Sequence, residues 1–151
     1  MRAVLVIGAT GILAPAASRL SERGIHVVGI SRKGREGTVA VDAHDSDALT
    51  EALADATWDA AMVYEPAVSQ KSLAYIHGAT PGRCVVVRTS AAADPARGTL
   101  VIPRDTLQLG WTADTPHRWH TPSEVSAAAL DVLADGQPRT LGTVRPWQDR
   151  P

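Results

Sequence analysis

Gly8 and Gly11, with Ala14 three residues further on, give the spacing G-x-x-G-x-x-A directly after the apolar run 3–7. Such a turn lets backbone N–H groups come close to a phosphate, and a helix beginning behind it adds favourable partial positive charge. Gly8, Thr10, Gly11, Ile12 and Leu13 are therefore candidates to hold the pyrophosphate of a dinucleotide. A strand-to-helix turn without a ligand is the alternative, but it needs only one of the two glycines. Next, Ser31-Arg32-Lys33 sets a hydroxyl and two cations where an acidic residue would favour NAD. Two cations suit a 2′-phosphate, so NADP is the expected cofactor, with a solvated basic loop as the alternative. Asp42 and Ala43 follow the next short apolar stretch, where a carboxylate is placed to meet the adenine edge.

Proton chemistry has four candidates. Tyr64 and Glu65 end a fourth apolar run. A carboxyl beside a bound ring is partly desolvated and so raised towards neutrality, which suits an acid/base. Glu65 as a surface or helix-start charge is the plainer reading. Tyr64 is suited to stacking on a cofactor or donating a proton. Ser90 follows a fifth run and suits binding a carbonyl or hydroxyl, or forming a turn. His120 stands in a loop with Trp111, His117, Arg118 and Trp119, a composition that suits a pocket wall. It reads either as a general acid or as a structural histidine before a helix cap. No carboxylate or cysteine stands at ligand spacing from it, so no metal site is expected. Cys84, the only cysteine, reads as a small buried apolar residue, and His44 as a loop residue.

These residues need a scaffold that brings several strand ends together. Strand patterns at 3–7, 26–30, 38–41, 58–64 and 83–88 alternate with helical patterns at 12–23, 46–56 and 68–77. Pro15 suits the first helical turn and Gly24 the end of that helix. Asp45 suits an N-cap. Beyond Ala93 the pattern changes. The segment 94–98 reads as a turn, and 99–103 and 106–111 both look extended. A last helix begins unambiguously, with Thr121 as cap, Pro122 in the first turn and Glu124 closing a capping box, and it ends at Gly136. An edge strand is expected at 141–144, followed by a docking tail with Trp147. The expected fold is α/β, a Rossmann-like doubly wound, mostly parallel sheet truncated after strand five. Residues 1–136 form the dinucleotide-binding domain, and 137–151 an edge strand and tail of the same domain.

Net charge is −1, which gives no general attraction to nucleic acid. No apolar run approaches the ~20 residues of a membrane span. The chain opens almost directly in a strand, and one cysteine is compatible with a reducing compartment. A cytoplasmic protein is expected, with a small-molecule substrate and a homodimer through a new surface.

The glycine turn, the β–α alternation, Arg32-Lys33 and Asp42 resemble the short-chain dehydrogenase/reductase superfamily over residues 1–90. The stretch Arg118-Trp119-His120-Thr121 and the end Pro146-Trp147-Gln148-Asp149-Arg150-Pro151 look like those of a group of unusually short bacterial members. The resemblance implies NADP lying across the strand ends, its nicotinamide near strands four and five, and a substrate-orienting role for Ser90. One departure is large. Family members carry a Tyr-x-x-x-Lys pair, but four residues after Tyr64 stands Val68 and four after Tyr75 stands Ala79. Tyr64-Glu65-Pro66 also replaces the small residues expected beside the cofactor. Three readings follow: an NADP(H)-dependent oxidoreductase acting on a small carbonyl or imine with an unorthodox acid; a non-redox enzyme, for cyclisation or elimination, on the same fold; or a non-catalytic NADP(H) sensor or partner subunit.

Overall fold

In β1 (Ala3–Ile7) the side chains alternate between two buried faces, as the period of a strand requires. Val4 and Val6 face one helical layer and Leu5 and Ile7 the other. The structure is a computed structural model describing residues 1–151. After β1 come α1 (Ala14–Glu22), β2 (His26–Ser31), β3 (Val39–Ala40), α2 (Ser46–Leu53), β4 (Ala60–Tyr64) and α3 (Gln70–Gly78). They are followed by β5 (Cys84–Arg88), β6 (Thr106–Leu109), α4 (Pro122–Asp135) and β7 (Arg139–Leu141). The strands form one sheet in the order β3-β2-β1-β4-β5-β6-β7, and every neighbouring pair is parallel. This is the doubly wound Rossmann order, which reverses direction between β1 and β4.

Helices α1 and α4 cover one face through Leu13, Ala16, Leu20, Val125, Ala129, Val132 and Leu133. Helices α2 and α3 cover the other through Leu49, Leu53 and Ile76. Each fully buried Leu, Ile or Val contributes about 1.5–3 kcal/mol, so these two layers, not the helices' own propensities, hold the fold. Asp45 caps α2 by accepting from the Ala48 N–H, and the Thr121–Glu124 capping box opens α4. Gly24 and Gly136 adopt the left-handed backbone expected after α1 and α4.

Several expectations shift. Residues 12–13 belong to the glycine turn, and α1 starts at Ala14. The sheet does not stop at five strands; it continues through β6 and β7. What is missing is the helix between β5 and β6, where two 3-10 turns, Ser90–Ala93 and Pro95–Arg97, carry the chain across. Of the two stretches expected to be extended, only the second forms a strand, and 99–103 pairs with nothing. The edge strand is Arg139–Leu141 rather than 141–144. No helix is long and apolar enough to cross a membrane.

Candidate functional site

In sheets of this order, ligands bind beyond the carboxyl ends of the strands, at the reversal point. Two hollows lie there, and they share Ile12 and Tyr64. The first, about 370 Å³, is lined by Gly8, Thr10, Gly11, Ser31, Arg32, Asp42, Ala43 and His44 among others. The second, about 270 Å³, is lined by Thr89, Ser90, Leu109, Gly110, Trp119, His120 and Val125 around the shared pair. Together they make one cleft crossing the ends of β2, β1, β4, β5 and β6.

The glycine turn forms the middle of the cleft. Gly8 has φ +110°, a conformation that penalises any side chain, and an added Cβ would lie 3.2 Å from Tyr64 Cβ. Gly11 has open space where its side chain would be. Within the turn the N–H groups of Gly11 and Leu13 both donate to the Gly8 carbonyl, whereas those of Thr10 and Ile12 find no acceptor in the protein. Unpaired amides above an open glycine are what an incoming phosphate needs. Leu13 is fully buried beneath the turn and serves it by packing. The turn is steadied from α4, whose Ser126 hydroxyl donates to the Ile12 carbonyl at 3.0 Å. It is steadied also from β2, where a side chain on Gly29 would collide with Ala9 and Thr38.

At the β2 end, the Ser31 hydroxyl bonds to that of Thr38 and accepts from the Arg35 N–H. Arg32 lies 3.7 Å from Asp42 and keeps 71% of its side chain exposed. Lys33 is exposed and outside the lining. The backbone N–H of His44, followed by its ring and the Arg32 charge, holds the Asp42 carboxyl below its usual range. His44 also reaches the Pro66 carbonyl at 2.8 Å, joining the segment after β3 to the turn after β4 across the first hollow. The sequence did not mark it for that role.

At the other end, Tyr64, Ser90 and His120 share the second hollow, but Glu65 does not. It lines a separate groove with Cys84, Val86 and Arg88 on the opposite side of the sheet. The alternation of a strand end accounts for this, since adjacent residues point to opposite faces. Burial pushes the Cys84 thiol up to about 12, so it is no nucleophile here. Ser90 is positioned through fully buried Gln108, whose amide donates to the Thr89 and Leu109 carbonyls while its oxygen accepts from Arg88. The hydroxyls of Tyr64 and Ser90 make no hydrogen bond to the protein.

His120 has only 8% of its side chain exposed, yet neither ring nitrogen has a hydrogen-bond partner. Its ring packs on Gly142, where a Cβ would stand 2.5 Å from Nε2, and Nδ1 lies 3.8 Å from Glu124 Oε2. The Arg118 guanidinium and the Thr121 N–H hold Glu124 at about 2, so it stays a carboxylate at neutral pH. This pairing of Glu124 with His120 was hidden in the sequence behind the capping box. Of the expected loop wall, Trp119 and His120 face the hollow. Trp111 is fully buried behind Trp119, and His117 turns away to the Thr112 carbonyl and Asp149.

No family model and no curated protein matches this sequence. Among solved structures, 3-alpha-hydroxysteroid dehydrogenase from Pseudomonas sp. B-0831, complexed with NADH, is similar with a TM-score of 0.62 at 14% identity, over 93% of this chain and 94% of that one. A Burkholderia multivorans structure with bound NADP, described as a short-chain dehydrogenase/reductase, has a TM-score of 0.58 at 16% identity, covering 93% and 96%. A carbonyl reductase from Pseudomonas aeruginosa PAO1 has a TM-score of 0.55 at 14% identity, covering 100% and 99%. At such identities the likeness is one of fold: this chain shares the Rossmann-like α/β fold of these dehydrogenases and reductases.

Proposed function

We propose that the chain binds NADP(H) along this cleft and acts as an oxidoreductase on a small carbonyl or imine, without the Tyr-x-x-x-Lys pair of the superfamily it resembles. The observation that carries the reading is His120, a buried imidazole with two unpartnered nitrogens in the wall of the cleft's second hollow. Buried polar atoms without partners are rare in folded proteins and mark a site that something else completes. The unpaired Thr10 and Ile12 amides would hold the pyrophosphate, and Arg32, with Ser31 behind it, the 2′-phosphate. When bound, the nicotinamide supplies hydride to the substrate's carbon. Ser90 and Tyr64 would orient the substrate's oxygen or nitrogen through their free hydroxyls. A turn of the His120 ring would bring one of its buried nitrogens to the substrate to deliver the proton, which it would regain from solvent.

Nucleotide titration and turnover test this together. NADPH should bind more tightly than NADH, and NADPH should be oxidised in the presence of a panel of carbonyls and imines. His120→Ala should lower turnover about 10²–10⁴-fold, the usual contribution of a general acid, with NADPH affinity retained. Tyr64→Phe keeps the ring and should cost less. Tight NADPH binding without turnover would favour the sensor reading, and no nucleotide binding would favour a non-redox enzyme.

A further inference from the structure

We infer that the hollow between Ser90 and Trp119 takes an uncharged, flat, conjugated carbonyl compound, its ring laid on Trp119 and its oxygen towards the Ser90 and Tyr64 hydroxyls. This names the substrate class for the site proposed above and rests on that reading for its chemistry, but the fit depends only on the hollow's own walls.

Charge decides the first half. None of the residues lining the hollow carries a formal charge apart from His120 when protonated. Three guanidiniums near this hollow are already engaged. Arg88 donates to Gln108 and the Val101 carbonyl, Arg118 to Glu124 and the Trp119 carbonyl, and Arg145 to the Ala93 and Val144 carbonyls. A carboxylate or phosphate entering here would lose its hydration and find no lysine or arginine in the lining, and the one group able to carry positive charge, His120, already faces the Glu124 carboxylate. It would also meet the Glu124 carboxylate behind the His120 ring. An anionic substrate is therefore disfavoured by the walls, while an uncharged one loses little on entry.

Shape decides the second half. Trp119 is one of three large apolar residues left exposed on the chain, at 48%, and it is the one at this cleft. Its indole is not loose. It stands edge-on to buried Trp111, with ring centroids 6.2 Å apart at 86°, and its backbone bridges that of Trp111. A flat apolar surface held in place at a binding site favours a flat partner, because stacking adds to area burial and no side-chain freedom is lost. Ile12, Leu109 and Val125 supply apolar contact, whereas the Tyr64 and Ser90 hydroxyls can meet a carbonyl oxygen. At about 270 Å³ the space suits one ring with a short substituent.

The test uses acetophenone, its saturated counterpart cyclohexyl methyl ketone, and 4-acetylbenzoate, each titrated by NMR into the full chain with and without NADP⁺. Acetophenone should bind at least tenfold more tightly than the saturated ketone, and the carboxylate should bind weakest. Trp119→Phe should keep the preference for the aromatic ketone, and Trp119→Ala should reduce it to within about twofold. Equal affinity for the flat and saturated ketones, or tighter binding of the carboxylate, overturns the inference. NADPH is titrated into the same samples. If NADPH fails to bind while the aromatic preference holds, the cofactor reading falls and this inference stands. If NADPH binds and acetophenone does not, this inference falls alone.

Discussion

Arg32 is held near the cleft by Asp42 across 3.7 Å while most of its side chain remains in water. An exposed ion pair of that kind is worth about 0–1 kcal/mol, and a hydrogen bond to a charged phosphate about 1.5–3 kcal/mol. A 2′-phosphate would therefore win Arg32 from Asp42. Arg32→Ala should weaken NADPH binding by roughly ten- to hundredfold, since each tenfold is about 1.4 kcal/mol, and leave NADH within about twofold. Calorimetric titration of both dinucleotides measures this directly, and equal losses would remove Arg32 from the 2′-phosphate. At this scale the sequence was legible where a residue's own backbone or chain position fixes its place, as with Gly8 and Gly11 in the turn and Arg32 at the end of β2. It was not legible where direction decides. Tyr64 and Glu65 were equal candidates on paper, and one peptide unit puts them on opposite sides of the sheet. The alternation of β4 contained that answer. Gly29, inside a strand, was likewise a readable sign of close backbone approach, here by Ala9.

Helix α4 was the most legible element, because its start is written in local chemistry. The Thr121 side chain accepts from the Glu124 N–H, and the Glu124 carboxylate accepts from the Thr121 N–H. Thr121→Ala should cost about 1 kcal/mol of stability in urea unfolding. Glu124→Gln separates two roles, because glutamine preserves the capping box but removes the charge that Arg118 and His120 face. The folded carboxyl sits at about 2, below its ordinary value of 4.5. Its charge therefore stabilises the fold fully above pH 4.5, and that contribution is lost as pH falls towards 2. The wild-type chain should thus be more stable than Glu124→Gln at pH 7, and the gap should close across that window. A gap that widens on acidification would contradict the assignment. The connection between β5 and β6 was the least legible. Residues 99–103 have the composition of a strand, but β6 already pairs with β5 on one side and β7 on the other. A strand needs a free edge as well as a propensity, and only the whole sheet determines which edges are free.

Taken whole, the molecule joins β5 to β6 without an α-helix, and its last residues help to close that end of the sheet. Trp147 packs against fully buried Trp111, with ring centroids 5.9 Å apart at 61°. The Arg150 guanidinium lies over the Trp147 ring at 4.7 Å, and Asp149 stands 3.7 Å from the His117 ring. Trp111 in turn backs Trp119, so the tail supports the wall of the second hollow from behind. Trp147→Ala removes a half-buried aromatic anchor. Full truncation of a core tryptophan costs about 3–5 kcal/mol, so about 2 kcal/mol is expected here. For a chain of this size that corresponds to a fall of roughly 4–8 °C in melting temperature. Two further consequences separate this support from simple loss of stability. NADPH affinity should hardly change, because no residue of the phosphate cradle touches the tail. Acetophenone affinity should fall several-fold at a temperature where the variant is fully folded, because Trp119 loses the ring arrangement behind it. If acetophenone binds the folded variant as tightly as the wild type, the tail is a stabiliser of the sheet's end alone and takes no part in shaping the cleft.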